Sequence, residues 1–163
     1  MTNMGQSGGK TLFDLGWLIG AIDSDGSYVL SKQHHHKNKT LYLFPSIEIT
    51  NDSEGFILNC DRVIKEWFKV GAYISPKPRK NGKLEYKISL GGMKRLHKAL
   101  PVLAANEVAK KKQAKLLLEY VNNRMTVNRG TPVTDRDIEI AISLRSLNGS
   151  KDVITMDIPK RLK

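Results

Sequence analysis

"LIGAIDSDG", residues 18–26, closes a run of apolar and small residues with two acids, Asp23 and Asp25, one residue apart. The run begins at Thr11, which can N-cap a helix that has Asp14 at its third position. Leu12, Phe13, Leu15, Trp17, Leu18, Ile19, Ala21 and Ile22 leave this helix apolar nearly all round, so it is expected to be buried on more than one face. Acids at its C-terminal end oppose the helix dipole, and a local rule broken at one spot points to function. Gly16 and Gly20 are four apart and share a face. Mid-helix glycine costs roughly 1 kcal/mol against alanine, so a second backbone is expected to approach closely there. No other segment offers a comparable small-residue face. The economical partner is the same helix from a second copy, with Gly16, Ile19, Gly20 and Asp23 in the seam.

The chain has 163 residues, the length of one domain, and a formal charge of +11. That excess draws polyanions, nucleic acid first and anionic membrane second. The lone Cys60 excludes a disulfide framework and a cysteine-based zinc site. No apolar run is long enough to span a membrane, and "MTNMGQSGGK" lacks the apolar stretch of a secretory signal. The expectation is an intracellular protein without a membrane or small-molecule partner. Residues 1–10 read as a disordered lead-in, 11–148 as a single domain and 149–163 as a basic tail.

Tyr28 and Leu30 alternate with Ser27, Ser31 and Gln33, and Leu41, Leu43, Ile47 and Ile49 alternate with Tyr42, Ser46, Glu48 and Thr50. This period of two predicts a hairpin with one apolar face and its turn near 36–39. Pro45 implies a bulge or an edge position. Phe56, Ile57, Cys60, Val63, Ile64 and Trp67 line one side of a helix that Asn51 or Asp52 would cap. A second hairpin turns at Asn81-Gly82, with Leu84, Tyr86, Ile88 and Leu90 facing in. "GGMKRLHKALPVL" starts another helix, "NEVAKKKQAKLLLEYVNNR" reads as a longer one over 106–124, and Thr134 caps a last helix to about Leu147. The expected fold is α+β: a four-stranded antiparallel sheet in α-β-β-α-β-β-α order, with helices on its apolar face and a polar, basic face left open. A strand of ~10 residues rises ~33 Å, the length of about ten base pairs.

"LIGAIDSDG" resembles the LAGLIDADG motif of homing endonucleases. It keeps Leu18, Gly20, Ile22, Asp23, Asp25 and Gly26, and departs at Ile19, Ala21 and Ser24. The element order around it extends the resemblance over residues 11–128. A single copy of the motif resembles the homodimeric, intron-encoded type. The resemblance implies a Mg²⁺-dependent endonuclease that cuts both strands of an intron-less DNA allele at a long pseudo-palindromic site and leaves 3′ overhangs. Ca²⁺ would support binding with little cleavage. It implies that the acids of two motif helices project into paired sites over the minor groove. By the same resemblance Asp25 binds metal, the Ser24 carbonyl can complete the metal's ligands, and Asp23 supports them or partners a helix end. Asn51 falls where members position water, and Lys110 where a catalytic-site lysine sits, with Lys111 and Lys112 as register alternatives.

The outward hairpin residues are then the expected readers of major-groove base edges. On the first hairpin these are Ser31, Gln33, His35, Tyr42, Ser46 and Glu48; on the second, Tyr73, Ser75, Lys77, Arg79, Glu85 and Lys87. A DNA-binding regulator or an RNA-splicing maturase of the same fold is the alternative, and the retained Asp25 favours cleavage. A generic RNA-binding sheet would carry aromatic residues for base stacking; the outward positions here are instead mostly Ser, Gln, Lys, Arg and Glu, with Tyr42 and Phe44 among the exceptions. Consecutive histidines in "QHHHKNK" cannot converge on one ion, and Trp17 and Trp67 read as core residues.

Overall fold

The structure is a computed structural model describing residues 10–34 and 41–149. Helix α1 spans Leu12–Asp25, and Thr11 caps it by accepting the Asp14 N–H. Strands β1 (Gly26–His34) and β2 (Leu41–Asn51) follow, then α2 (Glu54–Phe68), β3 (Tyr73–Pro78), β4 (Leu84–Gly91), α3 (Met93–Asn106), α4 (Lys111–Met125) and α5 (Asp135–Leu147). The four strands form one antiparallel sheet in the order β1-β2-β4-β3. One face carries the core: Tyr28, Leu30, Leu43, Ile47, Ile49, Ile88 and Leu90 are buried under the helices. The α+β class, strand order of the hairpins and helical cover expected from the sequence are all present. The hairpin tip, with His35, the lead-in over 1–9 and the tail from 150 lie outside the described residues.

Pro45 makes no bulge, because the β1–β2 register runs unbroken from Gly26 opposite Ile49 to His34 opposite Leu41. It pairs with Leu30 on one side and lies one residue beyond the β4 ladder, which begins at Ser46 opposite Gly91. A proline without an N–H is tolerated at such an edge. The β3–β4 turn places Gly82 at φ +78°, the left-handed conformation that glycine adopts without steric cost. In the last helix Thr134 and Asp137 form a reciprocal capping box.

Two helix boundaries differ from the sequence expectation. Ser53, not Asn51 or Asp52, caps α2 by accepting the Phe56 N–H, since Asn51 is still the last residue of β2 and its side chain is engaged elsewhere. The helix expected over 106–124 starts five residues later, at Lys111. Asn106 ends α3, Glu107 turns to extended backbone with its N–H on the Leu103 carbonyl at 2.8 Å, and α4 starts only at Lys111. The break exists because Glu107 is buried and the segment after it is bound by Asp23.

Candidate functional site

The end of α1 and the start of α4 cap each other. Asp23 accepts the Lys110 N–H at 3.0 Å and the Ala109 N–H at 3.1 Å. Its carboxylate therefore sits at the positive end of α4, where the dipole favours it. In return the Lys110 ammonium donates to the Ile22 carbonyl at 2.8 Å and the Gly26 carbonyl at 2.6 Å, at the negative end of α1. Burial pushes the Asp23 carboxyl upward, but hydrogen bonds from Glu107, Ala109 and Lys110 outweigh it and hold the group below its ordinary value. Gly26 is required here: a Cβ on it would stand 2.7 Å from both Cα and O of Ile22. Lys111 and Lys112 are exposed, so of the three register alternatives Lys110 is the lysine that turns back onto α1.

Asp25, the last residue of α1, is exposed. Asn51 Nδ2 donates to Asp25 Oδ2 at 2.7 Å, while Asn51 Oδ1 accepts the Ser53 N–H at 2.8 Å. The second bond fixes which end of the amide faces the acid. Among the described residues no cation pairs with Asp25. Ser24, also exposed, donates its hydroxyl back to the Ala21 carbonyl at 3.2 Å. Among the described residues no three His, Cys, Asp or Glu side chains gather as a metal cluster. The chain thus offers one exposed carboxylate, adjacent in sequence to the Ser24 main-chain carbonyl, hard oxygen donors of the kind Mg²⁺ prefers. Cys60 takes no part: burial, chiefly, pushes its thiol up to about 12, which leaves it inert.

The open face of the sheet carries Ser31, Gln33, Tyr42, Glu48, Tyr73, Ser75, Lys77, Glu85 and Lys87, with Arg79 just past β3. Ser46 departs from the expectation. It is only 2% exposed, a short side chain flanked by Phe44, whose ring lies over Gly91, and by Glu48, to which its hydroxyl donates at 3.4 Å. The face is also less basic than expected, because Lys87 is ion-paired with Glu48 and Arg79 with Glu85. Exposed lysines gather instead at the β3–β4 tip, at Lys77, Lys80 and Lys83.

The outer face of α1 is open in the single chain. Leu12 and Phe13 are each 80% exposed, and among the described residues nothing outside α1's own backbone comes within 4 Å of where a Cβ on Gly16 or Gly20 would stand. Ile19 departs from the expected seam, since it is packed into the core of its own chain. Asp23 is likewise engaged within the chain, by α4. Missing from the sequence reading altogether was Glu107, buried on the Tyr28 hydroxyl at the same junction; one acid ahead of a lysine run gives no signal of burial.

No protein-family model and no curated protein sequence matches the chain. Solved structures do. The archaeal intron-encoded homing endonuclease I-Vdi141I, complexed with DNA, matches with a TM-score of 0.68 at 21% identity, over 89% of each chain. The homing endonuclease I-CvuI, in complex with a DNA target, matches at 0.62 and 19% identity, over 88% of this chain and 90% of its own. The group I intron-encoded homing endonuclease I-CeuI, also with DNA, matches at 0.65 and 16% identity, over 88% and 71%. I-SmaMI is matched over only 43% of its length, at a TM-score of 0.57. With its four-stranded sheet, its helical cover on one face and its motif helix ending in Asp25, this chain has the fold of the LAGLIDADG homing endonucleases.

Proposed function

We propose that the chain is a site-specific double-strand DNA endonuclease, working as a homodimer and hydrolysing one phosphodiester on each strand with Mg²⁺ to leave 3′ overhangs. The observation that carries this reading is the exposed Asp25 carboxylate at the C-terminal end of α1, oriented by Asn51 at 2.7 Å. Solved homing endonucleases of this fold are complexed with DNA, which supports DNA as the substrate here. Ser31, Gln33, Tyr42, Tyr73, Ser75, Lys77, Arg79 and Lys87 are the proposed readers of base edges and phosphates, with Glu48 and Glu85 as acceptors.

In this mechanism Asp25 and the Ser24 carbonyl would hold the divalent metal. Metal bound there supplies Lewis-acid stabilisation of charge at the scissile phosphate. Asn51 orients the Asp25 carboxylate and keeps an amide near the water that attacks. Lys110, fixed on the Ile22 and Gly26 carbonyls, holds a positive charge beside the phosphate. Asp23 anchors the segment that carries Lys110. Two chains, joined through the open α1 faces, supply two such sites, one per strand. The match to slightly under half of I-SmaMI fits a chain that works in pairs. A two-fold dimer reads a pseudo-palindrome of about 20 base pairs, two half-sites of one helical turn each.

Incubating the protein with a randomised duplex library and Mg²⁺, then sequencing the cut ends, tests the reading. On the recovered site, Asp25→Asn should lower cleavage by several orders of magnitude while keeping or slightly tightening binding, because a charge that repels phosphate is gone. Ca²⁺ should give binding with little cleavage. Wild-type cutting by Asp25→Asn would put the active site elsewhere, and tight binding without any cutting would favour the regulator.

A further inference from the structure

Glu107 is a carboxylic acid 2% exposed in an otherwise apolar interior. Its Oε1 accepts the hydroxyl of Tyr28, itself fully buried in β1. Its Oε2 is buried and has no hydrogen-bond donor among the described residues. The carboxylate of Asp23 is its neighbour, close enough that each group alters the other's acidity. Two ionised carboxylates facing each other would be costly in so buried a place, even with the Lys110 ammonium nearby. One proton removes the conflict. On Glu107 Oε2 it makes a donor for Asp23, satisfies the orphaned oxygen and leaves Oε1 to accept from Tyr28. Burial first, then the bond to Asp23, hold the Glu107 carboxyl up to about 8, against the opposing effects of Tyr28 and Lys110.

The position of this group in the chain gives the bond a consequence. Glu107 follows the last residue of α3, and the next three residues are the segment whose Ala109 and Lys110 N–H groups bind Asp23. With that proton in place, a connected series runs from the Tyr28 hydroxyl to Glu107, to Asp23, and on to the backbone of Ala109 and Lys110. It clamps residues 107–110 between β1 and the end of α1. We propose that Glu107 is a positioning residue for the nuclease site, a hydrogen-bond donor to Asp23 and acceptor from Tyr28 that fixes Lys110 against the end of α1 beside Asp25. Its effect on cleavage rests on the endonuclease reading above; its effect on the segment 107–110 does not.

The test uses the full chain with Glu107→Gln, Glu107→Leu and Tyr28→Phe. The Gln amide can donate to Asp23 and accept from Tyr28, so it should rescue: single-turnover cleavage within about threefold of wild type and the Ala109 and Lys110 amides as slow to exchange as in wild type. Leucine fills similar space without either bond. It should cut about 30-fold more slowly, with DNA affinity within about twofold of wild type, and exchange those two amides at least about tenfold faster. Tyr28→Phe removes only the hydroxyl and should fall between, which keeps the test alive if Glu107→Leu does not fold. Failure of the wild type to cut any duplex would overturn the nuclease reading alone, since the amide-exchange pattern is read without DNA. Unchanged exchange in both Glu107→Leu and Tyr28→Phe, equal loss in Glu107→Gln and Glu107→Leu, or a rate loss that follows DNA affinity would overturn the positioning role.

Discussion

Replacing Gly16 and Gly20 together by alanine should stabilise one chain and break the pair. Among the described residues nothing outside the helix's own backbone comes within 4 Å of an added Cβ at either position, so alanine fits without strain. Each substitution removes the backbone cost of mid-helix glycine, about 1 kcal/mol. Together they should raise the unfolding midpoint of the monomer by roughly 4–8 °C for a domain of this size. Across a dimer seam the same methyl groups stand where two backbones meet, and overpacking costs about 1–3 kcal/mol. That weakens association by about tenfold to a hundredfold. Unfolding is measured at a protein concentration low enough to keep the chain monomeric. Sedimentation velocity over rising concentration and binding to full-site and half-site duplexes report the pairing. A double-alanine variant that dimerises and binds the full site as wild type does would remove the helix seam from the argument. One that is destabilised as a monomer would mean that the glycines serve a contact within the chain.

Gly26→Ala should destabilise the chain by about 1–3 kcal/mol, because its methyl would meet the Ile22 backbone at 2.7 Å; an unchanged denaturant midpoint would refute the close approach. Glu48→Gln should release Lys87 from its ion pair, tighten binding to every sequence and steepen the salt dependence by about one unit of slope. Equal salt slopes in gel-shift titrations would mean that Lys87 stays away from phosphate. Stability should also fall as pH rises, because folded Glu107 keeps its proton up to about 8 while the unfolded chain releases it near 4.5. That contribution is full below about 4.5 and gone above about 8, whereas the Asp23 contribution is full above 3.8 and is lost as pH falls below it. Thermal midpoints from about pH 5 to 9 should decline more steeply for wild type than for Glu107→Gln; parallel curves would place no proton on Glu107.

What could be read from the chain was whatever repeats locally. The period of two in β1 and β2, the helical period of α2, the Thr11 and Thr134 caps and the Asn81-Gly82 turn each express a neighbour a few residues away. Ser46 obeys its strand alternation and still is buried, because the covering ring comes from Phe44 lying across to Gly91 on β4. Ile19 could not be assigned to seam or core by periodicity, since α1 is apolar on nearly every side. The break between α3 and α4 lies a few residues later than the sequence pattern places it, because helix propensity continues through 107–110 and only the distant Asp23 and Tyr28 interrupt it. Asp25 and Lys110 were found by resemblance to a motif and a fold; the pairing of Asp25 with Asn51, and of Lys110 with α1, depends on chain crossings that no local pattern encodes.

The mutual capping of α1 and α4 joins residues 84 to 88 positions apart. During synthesis Asp25 and Asn51 emerge first, and the β1–β2 hairpin and α2 can form around them. The lysine that completes the arrangement follows only after both hairpins and α3 have been made, and it docks only when α4 packs back against the start of β1. A ribosome-bound fragment or a chain truncated before residue 110 therefore carries the acid without its basic counterpart. For the DNA endonuclease proposed above, the order of translation itself would withhold the proposed site until the domain is finished.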